Sequence, residues 1–273
     1  MRLGRVLACG TLALAALYVG LVGTLYLAQD RLLYPAAGQP VASITADVAG
    51  FETLRLDTPD GEHLVAWWKA PEAGKLTILY FPGNDDPDNT RRARARLLGA
   101  TGHGVLMVAY RGFWGSTGRP HEAGLHSDAR TAYAWLTRQV SPSRIVLFGE
   151  SLGSGIAVRL ATEIRAAGLI LDAPYTTAAA IAADRYPLVP VRWLMRDQYR
   201  SIDIVGQIKV PLLVLHGSED RDIPIRYGEA LYQAATAPKR FVRVAGAGHT
   251  TLLAPGGLPA VEAFLASLNP QGS

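Results

Sequence analysis

The segment Gly149-Glu150-Ser151-Leu152-Gly153 constrains this chain more than any other. It stands between an apolar run of strand length, residues 144–148, and a helix-compatible run, residues 156–164. A G-x-S-x-G pentapeptide at a strand-to-helix junction forces its serine into a strained turn that projects the hydroxyl above the sheet. Glycines flank it because strand and helix approach too closely there for a Cβ. With 28 glycines in the chain the pentapeptide alone is a weak signal, and its strand–turn–helix setting is what makes it specific.

The same alternation of elements runs through most of the chain. Residues 51–57 alternate apolar and polar, residues 58–61 form a Thr-Pro-Asp-Gly turn signal, and residues 63–69 read as the returning strand. Further strands are expected at 76–81, 105–110, 168–172, 211–216 and 241–245, with helices at 89–98, 123–139, 227–235 and 258–268. Strands alternating with helices argue for a mostly parallel sheet covered on both faces. Residues 186–208, rich in arginine, tryptophan and proline, read as irregular.

The N-terminus differs in kind. Residues 6–28 carry no charge, and at about 1.5 Å per residue they exceed a ~30 Å hydrocarbon core. Arg2 and Arg5 precede this run, which places the N-terminus in the cytoplasm and the rest of a single-pass chain across the membrane. The run is longer than the apolar region of a cleaved signal, so an uncleaved anchor is expected ahead of a cleaved signal or a buried core helix. The expected organisation is an anchor over 1–29, a juxtamembrane linker over 30–46, one domain over 47–268 and a flexible tail over 269–273. The single cysteine, Cys9, excludes an intrachain disulfide, and no zinc-type Cys/His cluster or phosphate-binding loop occurs. A net charge of +4, carried mostly by arginine, reflects composition rather than a nucleic-acid partner. Arg91, Arg92, Arg94 and Arg96 are expected on a solvated helix face, or, more pointedly, against anionic lipid headgroups.

A serine hydroxyl needs a base beside it and a group that orients the base. His249, in a glycine-rich loop after the last strand, is the one histidine beyond His216 and is the expected base. Asp220, Asp222 and Asp172 all follow strands and are candidates for the acid; Asp172 is expected to shape the entrance to the site. The developing oxyanion needs preorganised N–H donors. Leu152 N–H, directly after the serine, is one, and the loop Pro82-Gly83-Asn84 offers the other at Asn84, with Gly83 permitting the turn.

These segments together resemble the α/β-hydrolase superfamily, and within it the small membrane-anchored serine hydrolases related to bacterial esterases and eukaryotic depalmitoylases. Tyr110-Arg111-Gly112-Phe113-Trp114-Gly115-Ser116 is similar to the family's Y-R-G-Y/F-x-x-S segment. The span from His216 to Pro224 is similar to its H-G-x-x-D-x-x-V/I-P segment, and Gly248-His249 to its final G-H. The likeness covers about residues 32–266, and extends to the Gln29–Tyr34 stretch after the anchor. It implies an α/β-hydrolase fold with a lid-like insertion over about 176–208, and it places the acid at Asp220. One departure is the oxyanion loop, where Pro82 stands in place of the family's histidine while both candidate backbone donors remain. The expected activity is cleavage of a carboxylic ester or thioester with no metal or organic cofactor. An amide hydrolase and a catalytically silent, membrane-tethered binding protein are the rivals.

Overall fold

The computed structural model describes residues 2–39, 47–84 and 88–268. The expected flexible tail and most of the second half of the expected linker fall outside these residues. Helix α1 (Arg2–Leu33) leads into β1 (Glu52–Asp57), β2 (His63–Lys69), β3 (Thr77–Phe81), α2 (Asp88–Gly99), β4 (Gly104–Val108) and α3 (Glu122–Leu136). Then follow β5 (Ile145–Glu150), α4 (Leu152–Ala161), β6 (Gly168–Asp172), α5 (Ala178–Arg185) and α6 (Val191–Leu194). The chain closes with β7 (Leu212–Gly217), α7 (Arg226–Ala234), β8 (Lys239–Val244) and α8 (Gly257–Ser267).

The eight strands form one sheet in the order β1-β2-β4-β3-β5-β6-β7-β8. β2 is antiparallel to β1 and β4, and every other pairing is parallel. Both faces of the central strands are buried, and successive side chains serve opposite cores. Leu79 and Phe81 of β3, with Ile145 and Leu147 of β5, pack among α3 and α4 on one face. Ile78 and Tyr80, with Val146 and Phe148, pack against α2 and α8 on the other.

Strand order reverses at β3: its connection leads to β4 on one side, while its other neighbour is β5. Connections leaving opposite ways open a crevice at the carboxyl ends of such a strand pair. Phe81 and Gly149 are register partners there, so residues 82–84 and the elbow at Ser151 share that crevice.

Two expectations change. α1 runs on to Leu33, and Tyr34 is buried with its ring edge-on to Phe113, so the start of the expected linker is packed structure. Arg91 and Arg94 face inward rather than to solvent, because residues 91, 94, 95 and 98 form the core-facing stripe of α2. Arg91 stacks 3.9 Å from the Trp67 ring centroid and 4.5 Å from that of Trp114, while Arg94 pairs with the buried Glu150. Arg96 alone of the four is exposed.

Candidate active site

Ser151 sits between β5 and α4 with φ 52° and ψ −120°, a left-handed backbone that a non-glycine residue adopts only under constraint. The constraint is visible in the packing. A Cβ at Gly153 would overlap the carbonyl oxygen of Phe81, and one at Gly149 would overlap that of Gly153. The Ser151 N–H donates to the carbonyl of Asp172 at 2.9 Å, which pins the turn to β6.

The glycine-rich loop after β8 brings His249 to this turn. Its Nε2 lies 2.9 Å from Ser151 Oγ, and its Nδ1 lies 2.8 Å from Asp220 Oδ2. A carboxylate can only accept, so Nδ1 carries the proton and Nε2 is free to accept from the serine. Asp220 follows β7 and is held from several sides: Oδ1 accepts from the N–H groups of Asp222 and Ile223, both at 2.9 Å. Beneath it His216 is fully buried and donates through Nε2 to the Ile223 carbonyl at 2.7 Å. Burial opposes the charge on Asp220, but hydrogen bonds from His216 and His249 outweigh it and hold its pKa well below the usual carboxylate range. Burial likewise works against a charged His249, yet the bond to Asp220 and its negative charge raise the imidazole above its ordinary value.

Of the three candidate acids, Asp220 alone is bonded to His249. Asp222 is largely exposed, with its side chain 3.9 Å from Arg185. Asp172 is not at the entrance, as expected from sequence, but fully buried: Oδ1 accepts from Thr251 Oγ1 at 2.5 Å and Oδ2 from the Leu252 N–H at 3.2 Å. It therefore holds the loop that carries His249. Burial first, and then the negative charge of Glu150, push its pKa up to about 7.

Leu152 opens α4, so its N–H belongs to the helix-terminal donors that lack an intrahelical acceptor. Gly83 packs beside the serine, where an added Cβ would lie 3.4 Å from Ser151 Cβ. Asn84 borders the same crevice, and its side chain donates to the Leu33 carbonyl at the end of α1, 2.7 Å away. The Tyr110 hydroxyl donates to the Pro82 carbonyl at 2.9 Å, and Arg111 binds Asp128 and Asp60. Tyr110 of the Y-R-G segment thus braces the loop at residues 82–84, a role its composition does not reveal. Among the described residues Asp220, Asp222 and His249 could bring three metal-ligating atoms within 4.8 Å of one another, but Asp220 and His249 are already bonded to each other.

No model of a known protein family matches the chain. The chain is 38% identical over 255 residues to the uncharacterized protein Rv2307c of Mycobacterium tuberculosis, covering 91% of this chain and 90% of that one. It is 30% identical over 194 residues to the lysophosphatidylserine lipase ABHD12 of Danio rerio, covering 63% of this chain and 51% of the relative. Its fold superposes on the Pyrococcus furiosus esterase Pf2001 with a TM-score of 0.67, at 17% identity, over 86% of this chain and 98% of the esterase. The chain belongs to the α/β-hydrolase superfamily. Within that superfamily the eight-stranded sheet, the strained serine after β5 and the insertion between β6 and β7 occupy the places the sequence motifs implied.

The insertion contains α5 and α6 and faces α1 across a cavity of about 540 Å³ with Ser151 and His249 in its wall. Tyr18 Oη donates to the Leu188 carbonyl at 2.8 Å, and Arg196 binds Asp30 at 2.6 Å, so α1 and the insertion touch at two levels. Trp193 is 88% exposed, while Leu194 and Met195 line the cavity. Among the described residues one helix, Leu7–Leu33, is long and apolar enough to cross a membrane, with a mean hydropathy of 1.9.

Proposed function

We propose that this protein is a membrane-anchored serine hydrolase that cleaves a carboxylic acyl ester, with Ser151 as nucleophile, His249 as general base and acid, and Asp220 as the group that orients His249. The observation that carries this reading is the unbroken run from Ser151 Oγ through both ring nitrogens of His249 to Asp220, at 2.9 and 2.8 Å. That arrangement supplies the base and the orienting group that a serine nucleophile requires.

Ser151 Oγ attacks the ester carbonyl carbon while its proton passes to His249 Nε2. The carbonyl oxygen takes the negative charge and is received by the N–H groups of Leu152 and Asn84. The carbon–oxygen bond to the alcohol then breaks as the imidazolium returns the proton to the departing oxygen. Water, deprotonated by His249, attacks the acyl-enzyme; the carboxylic acid leaves and the proton returns to Ser151 Oγ. Asp220 stays ionised throughout, and its low pKa suits that role. A thioester is open to the same steps with sulfur as the leaving atom. The ester is preferred because the cavity wall is mainly apolar and a relative carries the name of a lysophosphatidylserine lipase.

The proposal includes the chain's organisation: a membrane segment followed by one catalytic domain with its insertion over about 176–208. Arg2 and Arg5 before the span place the N-terminus in the cytoplasm and the domain on the extracytoplasmic side. Hydrolysis of p-nitrophenyl butyrate by the purified full chain tests the chemistry. Ser151→Ala is expected to lower kcat by about 10³-fold or more. A variant that hydrolyses the ester at the wild-type rate would remove Ser151 from the mechanism.

A further inference from the structure

On one side of α1 the residues at positions 22, 25, 29 and 33 are half-covered, as is Ala28, while the remaining positions from 21 to 32 are exposed. Their spacing of three, four and four puts them in one stripe. Val22, Leu25, Tyr26, Gln29, Leu32 and Leu33 all line the cavity that also contains Ser151 and His249. Across from them stand Ile181, Ala182, Val189, Val191, Leu194 and Met195 of the insertion. An anchor needs only to be apolar all round, and nothing about spanning a bilayer calls for one face to be shaped against a lid.

We infer that the groove between Val22, Leu25 and Tyr26 of α1 and Ile181, Val189 and Met195 of the insertion is the acyl-chain subsite, and that it takes one long unbranched acyl chain of the ester. The inference rests on the reading of Ser151 as nucleophile. Three features of the groove favour this occupant. Its inner end is the serine hydroxyl, where the carbonyl must lie, and there the lining turns polar with Asn84, Glu150 and His249. Its length matches a chain rather than a compact acid: the 12 helical residues from Val22 to Leu33 span about 16 Å. Its volume of about 540 Å³ lies within the range of small-molecule sites. One wall is the membrane segment itself, so a chain resting in the bilayer reaches the groove without crossing water. The ordered contacts from Tyr18 to Leu188 and from Asp30 to Arg196 hold the two walls together.

The test compares kcat/KM for p-nitrophenyl palmitate and p-nitrophenyl butyrate, both presented to the full chain in the same detergent micelles. Val22→Trp/Leu25→Trp narrows the groove far from Ser151 and is expected to lower the palmitate-to-butyrate ratio at least tenfold. That corresponds to about 1.4 kcal/mol. Leu21→Trp, on the exposed side of the same helix, is expected to leave the ratio within twofold of wild type. An unchanged ratio in the double variant, or an equal fall in Leu21→Trp, overturns the subsite. Fluorophosphonate labelling run in parallel separates this from the catalytic reading: labelling retained by Ser151→Ala defeats the nucleophile assignment whatever the ratio does, and labelling retained by the double variant shows that its fold survives.

Discussion

Ser151, His249 and Asp220 owe their relation to opposing electrostatic effects. Burial disfavours charge on both His249 and Asp220; hydrogen bonds from His216 and His249 outweigh it at Asp220 and lower the carboxyl, and the bond to Asp220 outweighs it at His249 and raises the imidazole. General-base action requires neutral His249, so activity falls as pH drops through its pKa. We therefore expect kcat/KM for a soluble ester to rise with pH through a midpoint above about 6.5, the value of an unperturbed imidazole. In Asp220→Asn the midpoint moves down and the plateau drops by about 10³–10⁴-fold. A pH–rate profile of both proteins checks this, and coincident midpoints would show that Asp220 does not support His249. The proposed base and nucleophile, which the structure brings within 2.9 Å of each other, are legible from chain order and glycine context. The acid is not, since Asp172, Asp220 and Asp222 all follow strands; only the family motif, and then the 2.8 Å bond to His249, separates them. The service of Asp172 to the His249 loop depends on Thr251 and Leu252, about 80 residues away, and no local pattern announces it.

At the scale of elements, the parallel sheet was readable because its strands are short apolar runs punctuated by turns. The start of α4 was less so: sequence pattern placed its helical run at residue 156, whereas the helix begins at Leu152. Glycines at 153 and 155 lower helix propensity, and close packing against β3 and Tyr175 requires them. α2 shows the reverse effect. Its arginines suggested a wet face, but Arg91 finds two indole rings, and Arg94 finds Glu150, which also accepts from Tyr80. Glu150 directly precedes the serine, so this buried pair lies under the elbow. Removing one partner strands a buried charge. Arg94→Met is expected to destabilise the protein by about 3–5 kcal/mol, and adding Glu150→Gln to recover part of that loss. Chemical denaturation of the single and double variants measures the coupling, and strictly additive losses would argue against the pair.

At the scale of the whole molecule, the long apolar helix α1 is joined to the candidate site. α1 does not end in a slack tether: Leu33 accepts from Asn84 of the loop after β3, and Tyr34 is bonded to Asp197 and Tyr199 of the insertion's far end. Sequence reading saw an apolar span and a linker because the stripe at 22, 25, 29 and 33 is hidden within a uniformly apolar helix. The orientation proposed for the span has its own check: alkaline phosphatase fused after Ser273 is expected to be active in an exporting bacterial cell, and an inactive, stably expressed fusion would reverse the topology. The central claim is that the intact anchored chain acts through Ser151. Membranes carrying the full chain, treated with a fluorophosphonate and analysed by peptide mass spectrometry, test it most directly. The account predicts a single adduct on Ser151 in the wild type and no labelling in Ser151→Ala; an adduct on another residue, or equal labelling of both proteins, would contradict it.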